Sequence, residues 1–141
     1  MSPDVIVATA RGWIGTPYRH LAATRGAGCD CLGLVRGVWT ELYGTAPDVP
    51  AYRADRRDLR DLLAEAESRL NRCEPEAGAI AVFRLGARPR HCGILIAPNR
   101  FIHAQEQIGV VEANLTQGWA NRLVGCFAFP AGTASGSALT V

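Results

Sequence analysis

Lysine is absent from this sequence: all 15 basic residues are arginine, balanced against 13 acidic ones to leave a formal net charge of +2. So small an excess provides no electrostatic footprint for nucleic acid. Without lysine, and with Gly26, Gly28 and Gly33 at the wrong spacing, a phosphate-cradling loop is excluded too. No apolar run approaches the roughly 18 residues that a membrane span needs, so membrane insertion is not expected. The run Val5 to Ala8 is too short for a secretory signal and follows Asp4 rather than a basic region, so cytoplasmic synthesis is the expectation. The 5 cysteines are an odd number in a 141-residue chain that is 48% hydrophobic. Such a chain buries a core without staples, which points to free thiols rather than a disulfide framework.

What is present is hydrophobic periodicity of two kinds. Ser2 and Pro3 supply a cap and a first-turn proline, and Val5, Ile6, Ala10 and Trp13 carry a first helix as far as Gly15-Thr16-Pro17. A glycine-rich loop runs from Tyr18 to Gly28. The stripe Leu32, Val35, Val38, Trp39 and Leu42 predicts a second helix closed by Gly44, with Cys31 in its first turn. An extended Ala46 to Tyr52 leads to a third helix over Asp55 to Arg72 through Leu59, Leu62, Leu63, Ala66 and Leu70. Arg53, Arg56, Arg57 and Arg60 alternate there with Asp55, Asp58 and Asp61, the pattern of a solvated face with local ion pairs. From Gly78 onward the runs are short and β-prone: Ala79 to Arg84, His91 to Ala97, Arg100 to Ala104, Val110 to Ala113 and Leu123 to Phe129. Helices first and an antiparallel sheet afterwards make an α+β fold in one domain over residues 1–130, with a small-residue tail at 131–141 outside the core.

The sharpest local feature is Gly28-Cys29-Asp30-Cys31-Leu32-Gly33-Leu34. Cys31 follows a capping aspartate at a helix start, where unpaired N–H groups and the helix dipole stabilise a thiolate. A buried apolar cysteine is the competing reading, and Cys29 lies equally near. His91 opens one strand and His103 ends the next; a turn at Ala97-Pro98-Asn99 makes them a hairpin whose two histidine ends meet. A thiol, a base within its reach and a polar group fixing that base follow the logic of a catalytic triad. Cys29, Cys31, His91, Cys92 and His103 also offer sulfur and nitrogen to zinc. Their spacing lacks the usual spacer, and His91 and Cys92 point to opposite faces of a strand, so neither a metal nor a cofactor is expected. His20, in the loop after Tyr18, is a candidate for lining a substrate cleft, or a loop histidine exposed to solvent.

The stretches Trp13-Ile14-Gly15-Thr16-Pro17-Tyr18-Arg19, Asp30-Cys31-Leu32-Gly33-Leu34-Val35-Arg36, His91-Cys92-Gly93-Ile94 and Phe101-Ile102-His103-Ala104 resemble the NlpC family of papain-like cell-wall endopeptidases, from about Ala10 to Pro130. The resemblance implies a papain-like α+β fold and hydrolysis of peptidoglycan stem peptides, typically between γ-D-glutamyl and diaminopimelyl residues. By position it makes Cys31 the nucleophile, His91 the general base and His103 the third polar residue. Tyr18 then joins the Cys31 N–H in an oxyanion hole, and Asp30 helps hold the free amine of the stem peptide beside its capping role. Leu32 departs from the family's commoner serine. Leu32 to Trp39 and Gly125-Cys126-Phe127-Ala128-Phe129-Pro130 are most similar to the subset encoded by tailed phages and gene transfer agents. That likeness implies assembly into a phage-like tail, with tail or baseplate proteins as partners, and action on the wall of a target cell. A structural, non-cutting tail component of the same fold is the alternative.

Overall fold

Ser2 opens the first element as its sequence demands. Its hydroxyl accepts from the Val5 N–H at 3.4 Å, Pro3 fills the first helical position, and α1 spans Pro3–Arg11. The structure, a computed structural model, describes residues 1–47 and 60–130. Most of the expected extended run from Ala46 to Tyr52, the beginning of the expected third helix with most of its arginine–aspartate cluster, and the 131–141 tail lie outside those residues.

The first helix ends earlier than its periodicity predicts. From Gly12 onward the N–H groups bond three residues back, Trp13 to Ala10 and Ile14 to Arg11, which tightens the chain into turns before Gly15. Trp13 therefore sits beyond the helix, yet it is buried against it.

The second helix, α2, spans Cys31–Tyr43. Asp30 caps it through a 2.7 Å bond from the Gly33 N–H, and Gly44 closes it in the left-handed region at φ 85°. The expected stripe is shifted: Leu32 is only partly buried, and the buried face is Gly33, Leu34, Val35, Gly37 and Val38. Its two glycines are what allow other parts of the chain to press so close. A Cβ on Gly37 would stand 2.1 Å from the Trp13 ring, and one on Gly33 would stand 1.9 Å from the Ala22 carbonyl oxygen.

The third helix, α3, covers Arg60–Arg69 and lays Leu63 and Ala66 against the core, with Leu70 just beyond its end packed there too. It stops short of Arg72, because Asn71–Arg72 form β3, which pairs with the last strand. In the loop after Tyr18 lies a small hairpin that the sequence reading did not foresee, β1 at Ala23–Thr24 and β2 at Gly28–Cys29. The main sheet adds β4 at Ile80–Leu85, β5 at Arg88–Ala97, β6 at Arg100–Gln105, β7 at Gly109–Asn114 and β8 at Leu123–Ala128. Among the described residues it is a 6-stranded antiparallel sheet in the order β3-β8-β4-β5-β6-β7. The α+β expectation holds.

Strand alternation gives the sheet two apolar faces. Ile80, Val82, Ile94, Ile102 and Phe127 meet Ile6, Ala10, Trp13, Leu34, Val35 and Val38 of the helical layer. Ala81, Phe83, Leu95, Phe101 and Cys126 face the other way, under Leu115, Trp119 and Leu123. Trp119 lies on α4, Gln117–Arg122, a short helix capped by Thr116 and absent from the sequence reading.

Candidate active site

The histidine pair depends on one irregular residue. β5 and β6 pair as Ala97 with Arg100, then as Leu95 with Phe101 and Ile94 with Ile102, so Ile96 is bulged out of the ladder. Without the bulge, the Ala97–Arg100 pairing carried backwards would set His103 across from Ile94 and put the two histidines on opposite faces. With it, His103 lies across from Gly93, and His91, two residues along, shares its face. The imidazoles then meet with His91 Nε2 2.8 Å from His103 Nδ1. Glycine at 93 leaves the needed room, since a Cβ there would stand 2.7 Å from the Ile102 carbonyl oxygen and 3.1 Å from the His103 Cβ.

Both rings are buried, His91 to 8% and His103 to 2% exposure. The indole of Trp119 covers them, 5.6 Å from His91 and 5.3 Å from His103 between ring centroids, and Phe83 and Phe101 complete the wall. Burial, aided by the neighbouring His91 charge, lowers the His103 pKa to about 4, so it is neutral at physiological pH. In the tautomer that leaves His103 Nδ1 bare, it accepts from the His91 Nε2–H, and Nδ1 of His91 is then the nitrogen open to another partner.

The Cys31 sulfur, on the first residue of α2, lies within hydrogen-bonding reach of both Cys92 and His91. The Cys92 hydrogen bond, then that of His91 and its charge, hold the Cys31 thiol well below its ordinary range against burial and the Asp30 carboxylate. Cys29 has the opposite environment. It is fully buried in β2, and burial pushes its thiol up to about 12. The physical setting separates two cysteines that stand equally close in sequence.

Tyr18 is held in place by its neighbours' backbone. The Cys29 N–H donates to Pro17 and the Arg19 N–H to Cys29, a parallel bridge between Tyr18 and Cys29. Two residues before Tyr18, the Thr16 carbonyl accepts from the Val110 N–H of β7 and the Gly15 N–H donates back to the Val110 carbonyl, and Gly109, at φ 109°, admits the Thr16 carbonyl oxygen to within 2.5 Å of where a Cβ would stand. Burial first, then the charges of Cys31 and Asp30, push the Tyr18 phenol up, so it remains an O–H donor beside Cys31. Asp30 is 1% exposed and bonds the Leu21 N–H at 2.8 Å as well as that of Gly33. Leu21 adopts φ 66° to deliver that N–H. The His20 ring lies 3.8 Å from the same carboxylate and is partly exposed.

The structure therefore gathers Cys31, His91 and His103 in contact, with Tyr18 and Asp30 beside the sulfur and His20 against Asp30. The sequence reading missed Trp119 and the contact between Cys92 and Cys31. Helix capping at Thr116 was the available signal for Trp119. For Cys92, strand alternation places it on the helix-facing side of β5, where Cys31 sits.

Residues 15–127 match the model of the NlpC/P60 family. The chain is similar to the murein DD-endopeptidase MepS/murein LD-carboxypeptidase of Escherichia coli, 28% identical over 105 residues covering 74% of this chain and 50% of that protein. A probable endopeptidase NlpC homolog of Haemophilus influenzae is 27% identical over 117 residues, 83% of this chain and 57% of that one. The chain thus spans about half the length of the curated relatives it matches. Among solved structures, the NlpC/p60 domain of the peptidoglycan hydrolase SagA superposes with a TM-score of 0.66 at 23% identity, over 91% of this chain and 99% of that domain, and shares its fold.

Proposed function

We propose, from the premise that the chain belongs to the NlpC/P60 family, that it is a cysteine endopeptidase acting on peptidoglycan stem peptides, with Cys31 as nucleophile, His91 as general base and His103 holding that base. The observation that carries this reading is the buried 2.8 Å contact between His91 and His103 near a helix-start thiol held well below its ordinary range.

The chemistry follows from the arrangement. The Cys31 thiol gives its proton to His91 and its sulfur forms a bond to the scissile carbonyl carbon, with the displaced electron pair going to the oxygen. The Cys31 N–H at the start of α2 and the Tyr18 hydroxyl stabilise that oxyanion. Collapse breaks the C–N bond as His91 gives its proton to the leaving amine. Water, deprotonated by His91, then displaces the sulfur and frees the acid. His103, kept neutral, maintains the orientation of His91 throughout.

The bond cut is that between γ-D-glutamyl and diaminopimelyl residues. Asp30 and His20 form the polar wall that takes the free amine of the stem peptide, although Asp30 also spends its carboxylate on the Gly33 and Leu21 N–H groups. The likeness of Leu32 to Trp39 and Gly125 to Pro130 to the phage-encoded subset supports delivery by a phage-like tail, with tail or baseplate proteins as partners. The target cell's wall is then the site of action.

Mass analysis of sacculus digests tests the activity and names the bond. Native protein is expected to release γ-D-glutamyl-ended fragments and Cys31→Ala none; equal release by both sinks the peptidase reading. Binding to sacculi with no release by either favours the non-cutting tail component. Delivery requires the protein in purified phage-like particles from producing cells, and its absence there removes that part.

A further inference from the structure

We propose that Cys92 is a positioning residue for the Cys31 nucleophile: its buried S–H donates to the Cys31 sulfur when that sulfur is a thiolate, and to the Cys31 carbonyl oxygen when the sulfur is acylated. The proposal rests on Cys31 being the nucleophile, and on a contact that nucleophile chemistry alone does not require.

Cys92 is 1% exposed on β5, on the face that packs against α2. Its sulfur lies 3.3 Å from the Cys31 carbonyl oxygen and within hydrogen-bonding reach of the Cys31 sulfur. One donor therefore stands between two acceptors on the same residue. An S–H is a weak donor to a neutral carbonyl and a better one to an anion, so the preferred acceptor changes with the charge on Cys31.

The two thiols share one easily lost proton, and their surroundings decide which sulfur gives it up. Cys31 faces the His91 ring and the unpaired N–H groups of the α2 start, and these favour its anion. The groups opposing it are the Asp30 carboxylate and, when ionised, Tyr18 and Cys29. Cys92 packs among apolar residues, and both its hydrogen bond to Cys31 and its burial hold its own thiol well above the ordinary range. Cys92 thus keeps its proton and acts as donor. An apolar residue at 92 would fill the space and remove the donor. A serine would keep one, with the Cys31 carbonyl as its alternative acceptor.

The pH dependence of Cys31 alkylation by iodoacetamide, followed by mass spectrometry of the Cys31 peptide, tests this without any peptidoglycan. In Cys92→Val the half-point of alkylation is expected at higher pH, with the rate on its acid side reduced about fivefold to tenfold, the range of a hydrogen bond to a charged group made by a weak donor. Cys92→Ala, which cannot overpack, is expected to shift it in the same direction, and Cys92→Ser to restore the native half-point. An unchanged half-point in both Cys92→Val and Cys92→Ala overturns the proposal. So does a Cys92→Ser shift as large as that of Cys92→Val, which would mark packing alone as the cause. A shifted half-point in a protein that releases nothing from sacculi upholds the Cys31–Cys92 pairing while removing the peptidase reading.

Discussion

At the scale of the residue, burial holds one of two touching imidazoles neutral. His103 is 2% exposed and its pKa falls to about 4, so in the folded chain it stays neutral where the unfolded chain would take up a proton. The sign follows from that depression. The folded state is favoured fully above pH 6.5, and the advantage is lost as pH falls from there to about 4, where the unfolded chain alone binds the proton. A depression of that size corresponds to roughly 3 kcal/mol. Urea unfolding at pH 7 and pH 4 should therefore show the native chain losing about that much more stability than His103→Gln, whose side chain does not titrate. Parallel losses in the two proteins would mean that His103 is not held neutral by the fold. The comparison cancels the carboxylates common to both, including Glu112, which the Arg100 and Arg11 guanidinium groups hold below the usual range.

At the scale of the element, the site hangs on how closely a loop crosses a helix. The Ala22 carbonyl oxygen, which accepts from the Asp30 N–H, passes so near α2 that a Cβ on Gly33 would stand 1.9 Å away. Two effects of Gly33→Ala oppose each other. Alanine favours a helix by about 1 kcal/mol over glycine, but a backbone oxygen cannot rotate away, and overpacking of this kind costs roughly 1–3 kcal/mol. The clash should win, and the movement falls on the segment that carries Tyr18, His20 and the Leu21 N–H. Thermal unfolding is expected a few degrees lower for Gly33→Ala, with peptide release reduced more than the lost stability explains. A stabilised, fully active variant would contradict the close crossing. Gly33 was visible in the sequence only as part of a motif, because nothing in the order of residues tells which carbonyl will lie over a helix. The same holds for the bulge at Ile96: the strands themselves were legible to within a few residues from alternation, yet register is settled by a single unpaired residue that alternation does not mark. Short elements escaped for a related reason. β1, β2 and β3 have two residues each and α4 has six, too few for any period to repeat. Asp30, Cys31 and Gly44 were read correctly because capping is a local chemical act that the sequence states outright.

At the scale of the whole molecule, the sheet separates two cores with different duties. The helix-facing core fixes α2, and with it Cys31, against β5; the opposite core, with Phe83, Phe101 and Trp119, walls the two histidines. Substitutions of similar stability cost on the two faces should then differ in what they do to turnover. Val38 is fully buried on α2, two turns beyond Cys31, and Val38→Ala removes volume at a cost of about 1–2 kcal/mol. Phe83 is equally buried, lies 6.1 Å from the His91 ring and 5.0 Å from that of Trp119, and Phe83→Leu is expected to cost about the same. Measured on sacculi well below either melting point, turnover by Val38→Ala should stay near the native value, because the helix start is pinned separately by the Asp30 cap and the Cys92 contact. Phe83→Leu should turn over more slowly with KM little changed, because the His91 ring loses a wall that sets its angle, and small misplacements of a base are costly. Equal turnover in the two variants, or a larger loss in Val38→Ala, would show that the sheet does not divide the labour in this way.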